Sequence, residues 1–444
     1  MELKALSEIM RNAGVVGAGG AGFPSYAKLD ARADTVILNC AECEPLFKLH
    51  RSLLAKFAFE IMTALSEVKT AVNADRVIIA VKPSYKEAID AVNYHLHSFP
   101  GFEVCELREF YPAGDEVNTI YEATGRVVKP GALPITVGAT VYNVETMLNT
   151  YYAIKENKPV TSKYLTVAGA VKNPVTFDAP LGMTFGELIK LAGGYSEDDC
   201  AIINGGIMTG NLAGENDVVT KTTNAVLVLP RNNAIIQRRL TKPSMNVKRA
   251  MSACCQCMSC TDLCSRHLLG HPIQPHLFMR AVAKGMETDI SAVLNSAYCS
   301  QCGVCEMFAC PQGLSPRTLI GVAKGELRRA RVQMPEPKVE PVNPDRDYRL
   351  LAMSRLIGRL GVSKYDVEAP VTELANKPKT VKLKLSQHIG VPAAAAVSVG
   401  DKVKTGDVVG SFAPDKLGVP VHASVDGEVL SVTDKFIVLK GAAE

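Results

Sequence analysis

Eight of the thirteen cysteines stand in two short runs, which constrain the fold more than any other feature of the 444 residues. The first run is Cys254, Cys257, Cys260 and Cys264, spaced C-x2-C-x2-C-x3-C. The second is Cys299, Cys302, Cys305 and Cys310, spaced C-x2-C-x2-C-x4-C, with Pro311 directly after it. Two-residue spacers let one winding loop aim three thiolates at a common volume, and the fourth comes from the start of the next helix. That is the ligand supply of a cubane iron–sulfur cluster. Zinc sites also use C-x2-C pairs but set two of them across a longer gap. Disulfides need an oxidising compartment. The runs are therefore read as ligands of two 4Fe–4S clusters. Where such runs come in pairs, the fourth cysteine of each binds the other cluster, which makes Cys264 a candidate for the second site and Cys310 for the first. Ser265 replaces the usual proline after the first run, the second run has one extra residue, and Cys255 reads as a neighbour rather than a ligand.

Composition narrows the setting. Hydrophobic residues make up 47%, ample for real cores, and the net charge of +4 is too weak to imply nucleic acid. Met1-Glu2-Leu3-Lys4 opens an amphipathic helix without a signal-peptide core. No run approaches the roughly 18 apolar residues that span a membrane. Clustered cysteines then point to metal in a reducing compartment, and a soluble, cytoplasmic protein is expected.

The expected fold class is α/β multidomain. Residues 1–155 alternate strand-like runs (Thr35–Asn39, Arg76–Val81) with a helix over His50–Val68, as in an α/β layer with a parallel sheet. Residues 160–240 read as a small β-rich domain with a helix over Thr184–Leu191 closed by Gly193-Gly194. Residues 246–330 hold both cysteine runs and a helical stretch over His276–Met286; 331–379 read as a proline-rich linker with a helix over Tyr348–Leu360; 380–444 are β-rich with glycine turns.

A second feature is Gly17-Ala18-Gly19-Gly20-Ala21-Gly22, whose glycines let backbone N–H groups approach a phosphate. A structural turn is the competing reading, and no strong strand precedes the loop to complete a dinucleotide-binding unit. Gly17–Lys28 resembles the flavin loop of the superfamily that holds the flavin subunit of respiratory NADH dehydrogenase and the C subunit of the Rnf ferredoxin:NAD oxidoreductase. Asn39-Cys40-Ala41-Glu42-Cys43-Glu44-Pro45, Tyr111-Pro112-Ala113-Gly114-Asp115-Glu116 and Val141-Tyr142-Asn143-Val144-Glu145-Thr146 resemble its further loops, in order. The resemblance implies FMN among these segments, with Gly17, Gly19, Gly20, Gly22 and Lys28 near phosphate. Asn39 and Asn143 would lie near the ribityl or ring, Tyr111 and Gly114 would belong to a loop around the FMN, and the acids Glu42, Glu44, Asp115 and Glu116 would leave room for NADH. FMN accepts a hydride pair and releases electrons singly, the conversion needed between NADH and the clusters. Ala41 replaces an acid of the dehydrogenase subunit, and Cys40 with Cys43 could be taken for a metal pair.

Leu165–Val171 and Pro180–Thr184 resemble the soluble-ligand-binding β-grasp domain, and Gly390–Gly427 resembles a barrel-sandwich hybrid. Lys416 stands near where lipoyl carriers bear their modified lysine, which leaves lipoylation as an alternative. In Rnf C subunits the barrel comes first; here it comes last. That order, with Cys254–Cys257 and Arg266–Pro272, is similar to the cobalamin reductases of propanediol-utilisation microcompartments. The resemblance implies reduction of cob(III)alamin towards cob(I)alamin, an adenosyltransferase partner, and contact with microcompartment enzymes or shell. No D-x-H-x-x-G cobalamin signature occurs, and His267, His271 and His276 read as structural residues. A ferredoxin- or flavodoxin-linked electron-transfer protein and a non-catalytic wiring scaffold are the alternatives.

Overall fold

The computed structural model describes all residues except 375, 377, 443 and 444. After helix α1 (Leu3–Asn12), the first domain is a parallel sheet of β1 (Thr35–Cys40), β2 (Arg76–Val81), β3 (Phe102–Glu106) and β5 (Ala139–Asn143), while the two-residue β4 (Phe110–Tyr111) lies outside it. The strand order is β3-β2-β1-β5. β1 and β2 are buried almost end to end, which is why they read as continuous apolar runs rather than alternating ones. The helix expected over His50–Val68 is two helices, α2 (Leu49–Lys56) and α3 (Ala58–Val72), because the backbone leaves the helical region at Phe57. Helices α4 (Lys86–Leu96), α5 (Glu116–Thr124) and α6 (Val144–Lys155) complete the layers. The sheet winds one way through β2 and β3 and the other way at β5, so the switch in strand order falls between β1 and β5. Ligands of open α/β sheets bind beyond the carboxyl ends of the strands at such a point.

The second sheet has the order β12-β7-β6-β10-β8-β9. Its strands are β6 (Ser162–Gly169), β7 (Val175–Pro180), β8 (Cys200–Asn204), β9 (Asn211–Ala213), β10 (Ala225–Pro230) and, from far along the chain, β12 (Val371–Thr372). Helix α7 (Phe185–Leu191) starts with a capping box in which Thr184 and Glu187 satisfy each other's backbone N–H. Helices α8 (Ala234–Leu240) and α9 (Pro243–Ala253) lead into the cysteine-rich domain of α10 (Ser259–Asp262), α11 (Ser265–Leu268), α12 (Pro275–Lys284), α13 (Ile290–Asn295) and α14 (Pro316–Arg329).

Residues 331–379 do more than tether. Within them β11 (Leu351–Ala352) pairs with β4, β12 pairs with β7, and α15 spans Met353–Leu360, later than the expected start at Tyr348. Arg346, buried with its guanidinium against Glu122 (2.6 Å) and over the Tyr121 ring, fastens the segment to the first domain. The C-terminal barrel has two sheets, β13 (Thr380–Lys384), β19 (Phe436–Gly441), β18 (Gly427–Val432) and β15 (Lys402–Val403) in one, and β14 (Ala394–Ala395), β16 (Val408–Ser411) and β17 (Val421–His422) in the other.

Two buried lysines join these units. Lys163 of β6 is buried against Glu145 of α6 and donates to the Tyr164 carbonyl and Asn224, while Glu145 also accepts from the Tyr164 N–H. Lys221 has no carboxylate in contact among the described residues but donates to the carbonyls of Gly14 (2.8 Å) and Pro420 (3.0 Å), so one amine clasps the first domain and the barrel. Burial lowers its pKa to about 7. Removing one partner of a buried pair strands the other charge, at a cost of about 3–5 kcal/mol. Lys163→Ala, which strands Glu145, is expected to lower the thermal unfolding midpoint by several degrees, whereas an unchanged midpoint would mean that the pair does not hold the first two domains together.

Candidate functional site: a flavin cradle joined to two cysteine sites

Asn39 is the penultimate residue of β1 and Asn143 ends β5, and the two are register partners at the switch point of the sheet. Asn39 donates to the Gly114 carbonyl (3.0 Å) and accepts from the Ala41 N–H. Asn143 caps α6 by accepting from the Glu145 N–H (3.0 Å) and sets its amide against His50 (3.2 Å). Gly19 lies so close to that amide that any side chain there would collide with it. The glycine loop therefore closes over the switch point.

The loop is a tight hairpin: Gly17 N–H donates to the Phe23 carbonyl (2.9 Å), and Ala18 N–H donates to Thr146 of α6 (3.0 Å). A single 3-10 turn, Ser25–Lys28, follows it, so no helix dipole supports the loop from behind. The N–H groups of Gly19, Gly20 and Ala21 have no acceptor among the described residues, and a Cβ at Gly20 would meet no atom within 4 Å. Exposed, unclaimed amides over a sheet switch point fit a phosphate-bearing flavin. Lys28 differs from expectation. It braces the loop to β5, donating to Glu116 (2.8 Å) and the Val141 carbonyl (3.0 Å), so its charge is already balanced. Glu116, expected to border the NADH space, is the other half of that brace.

The acidic loop turns inward. Glu42 is buried with a positive φ of 26°, accepts from the His50 N–H (2.9 Å), and leaves its other carboxylate oxygen unpartnered. Burial raises its pKa, opposed by the His50 N–H and by Arg51 and Lys82. Glu44 faces the β-grasp domain, not an open nicotinamide space. It accepts from the backbone N–H groups of Met208 (2.8 Å) and Thr209 (2.9 Å) and from the Thr209 hydroxyl, which offsets the cost of its burial. Cys40 lies in the core of the first domain and Cys43 packs against Gly114.

The loop from Tyr111 to Asn118 is the seam to the cysteine-rich domain. Tyr111 OH donates to the Cys302 carbonyl (2.5 Å), and Asn118 donates to Ser265 Oγ (3.2 Å). Asp115 caps α5 through the Val117 and Asn118 N–H groups while holding Arg266 at 2.9 Å. Glu44, Tyr111 and Asp115 thus gather at domain seams, a placement that loop spacing does not reveal.

The fourth cysteine of each run lies nearer the other run. Cys254, Cys257, Cys260 and Cys310 line one cavity with Gln256, Met258 and His276. The thiol of Cys264 instead feels Cys302 and Cys299, and that of Cys305 feels Cys299, Cys302 and Cys264. Burial raises both pKa values, and for Cys302 pushes it to about 11, so binding of metal must displace protons there. The extra residue of the second run forms a π-helical turn over Cys305–Ala309, which absorbs one insertion and still delivers Cys310 to the first site. The loops repeat each other: Gln256 and Gln301 occupy the same offset, both with positive φ (55° and 61°). Each side-chain amide donates to the first sulfur of its run, at 3.2 Å to Cys254 and 3.4 Å to Cys299. The C-x-Q-C pattern common to both runs was the available signal for these residues. Hydrogen bonds to sulfur tune cluster potential. His271 bonds the Val128 carbonyl (2.9 Å) and His276 bonds Thr261 (2.8 Å), both structural contacts.

Four family models match in succession: the Nuo51 FMN-binding domain over residues 10–152, the SLBB domain over 164–210, a 4Fe-4S dicluster domain over 253–315 and the RnfC barrel sandwich hybrid domain over 362–443. The fold and sites define a flavin and iron–sulfur electron-transfer oxidoreductase. Cobalamin reductase PduS of Salmonella typhimurium is 43% identical over 435 residues, covering 98% of this chain and 96% of that protein. The Citrobacter freundii protein of the same name is 43% identical over 442 residues, covering 99% and 97%. The C subunit of the Na(+)-translocating ferredoxin:NAD(+) oxidoreductase complex of Acetobacterium woodii is 33% identical over 274 residues, covering 60% and 59%. The chain belongs to the PduS family.

Because a Cβ at Gly20 meets no protein atom, Gly20→Val tests the cradle without disturbing the fold. Losing one charge-assisted amide contact costs about 1.5–3 kcal/mol, so FMN affinity should fall about ten- to a hundredfold, with iron content unchanged. Unaltered FMN occupancy would reduce the loop to a structural turn.

Proposed function

We propose that this chain oxidises NADH at FMN and delivers electrons one at a time, through two 4Fe–4S clusters, to cob(III)alamin. When bound, FMN accepts the hydride pair and the clusters take single electrons. The amides of Gly19, Gly20 and Ala21 would hold the phosphate, with Gly17 and Gly22 shaping the hairpin, and Asn39 and Asn143 at the strand ends would set the ring-side polar contacts. Gly114 keeps the second loop close to Cys43, and the buried Glu42 anchors the acidic loop through the His50 N–H.

The observation that carries this reading is the seam. One loop, Tyr111–Asn118, both borders the cradle and grips the second cysteine site, through the Cys302 carbonyl, Arg266 and Ser265. The site of Cys264, Cys299, Cys302 and Cys305 is the one held to the flavin domain. The site of Cys254, Cys257, Cys260 and Cys310 reaches the surface at the exposed Cys257. An adenosyltransferase to receive the reduced corrinoid, and a place among the enzymes or shell of a bacterial microcompartment in the cytoplasm, follow from the PduS likeness.

Anaerobic turnover with NADH and hydroxocobalamin, followed by absorption, tests the proposal. Cys302→Ala and Cys257→Ala should each lose about half the iron, and each should slow cobalamin reduction at least about tenfold while NADH still bleaches the flavin. Full-rate cobalamin reduction by Cys302→Ala would mean that the flavin reduces the corrinoid directly.

A further inference from the structure

Helix α9 runs directly into the first cysteine run. Its inner side buries Asn246 and Ala250, the latter packed with Phe278, Met279, Leu319 and Ile320. Its outer side carries Met245, Lys248, Arg249 and Met251, and Lys242 precedes its first residue, all exposed, with Met245 at 50% and Met251 at 60%. Met258, 44% exposed, continues this surface onto the rim of the first site beside Cys255 and Cys257. The sequence has no acidic residue between Asp217 and Asp262. Of the acids on neighbouring elements, Asp262 is paired with Arg349 (2.8 Å) and Asp289 with Arg280 (3.1 Å).

We propose that the outer face of α9, with the rim of the Cys254/Cys257/Cys260/Cys310 site, docks a protein that presents an acidic patch and carries the electron acceptor. The idea rests on the electron-transfer reading above and names the class of partner at the exit. Cations on the rim of an interface steer an acidic partner and raise its association rate. Exposed methionines give a soft, adaptable apolar contact suited to a short-lived complex. The exposed thiols at the rim put the electron donor inside the contact, not behind it. The second cysteine site is instead tied to other domains: Tyr111 donates to the Cys302 carbonyl, Arg266 pairs with Asp115, and Arg317 bridges the Gln301 and Thr209 carbonyls.

The test uses the iron-loaded protein reduced by dithionite, which bypasses NADH and FMN. It is mixed by stopped flow with acidic plastocyanin or with basic cytochrome c. One electron leaves the reduced iron of the protein and reduces the copper(II) or haem iron(III) of the probe, with no proton moved. For plastocyanin, the second-order rate constant should fall about tenfold or more as salt rises from about 20 to about 300 mM. In the Lys242→Glu/Lys248→Glu/Arg249→Glu variant it should fall at least about tenfold at low salt, while the rate with cytochrome c rises. Lys248→Gln/Arg249→Gln, a milder change, should show the same ordering with unchanged iron content. A salt-independent rate, or plastocyanin rates equal in wild type and in an iron-replete variant, would overturn the proposal. Failure to oxidise NADH in a separate assay would overturn the flavin reading and leave this result standing.

Discussion

The exchange of fourth cysteines between the two runs is the constraint on which the rest of the structure depends. Cys264 leaves the first run to join Cys299, Cys302 and Cys305, and Cys310 leaves the second to join Cys254, Cys257 and Cys260. Neither site can form from a contiguous stretch of chain, so the segments between them must fold together. The crossing also fixes orientation. Ser265 and Arg266, directly after Cys264, contact Asn118 and Asp115 of the flavin domain, so the second site is drawn against the cradle and the first faces outward.

The other domains hold that geometry. Glu44, Lys163 and Glu145 tie the first domain to the β-grasp domain, which offers its strand-end backbone as a docking surface. The barrel, although last in sequence, sits against the glycine loop at the other end of the chain. Ile389 donates to the Gly22 carbonyl (3.2 Å), Gly418 to Tyr26 (3.4 Å), and Arg11 reaches the Pro414 carbonyl. Lys221 closes the same junction.

Much of this was legible in sequence because the signals were local. Two-residue cysteine spacers, the strand-like runs at Thr35–Asn39 and Arg76–Val81, and the helix over Thr184–Leu191 closed by Gly193-Gly194 each specify their own surroundings. The π-helical turn before Cys310 was foreshadowed by the one-residue excess in the spacing. What remained hidden was non-local. Nothing near Lys28 shows that Glu116, 88 positions away, neutralises it, and nothing near Glu44 shows that the Met208–Thr209 backbone lies opposite. His50, against Asn143 and above Glu42, is a lone histidine in an apolar helix until the fold brings the strand ends beside it. The break at Phe57 and the pairing of 351–352 and 371–372 with distant strands likewise depend on tertiary contacts.

The crossing can be tested by whether single-cysteine variants resemble each other across the runs or along them. Anaerobically reconstituted Cys264→Ser, Cys310→Ser, Cys302→Ser and Cys257→Ser proteins would be compared by the electron paramagnetic resonance of the iron each retains. The crossed arrangement predicts that Cys264→Ser matches Cys302→Ser and that Cys310→Ser matches Cys257→Ser. Spectra that pair Cys264→Ser with Cys257→Ser and Cys310→Ser with Cys302→Ser would contradict it.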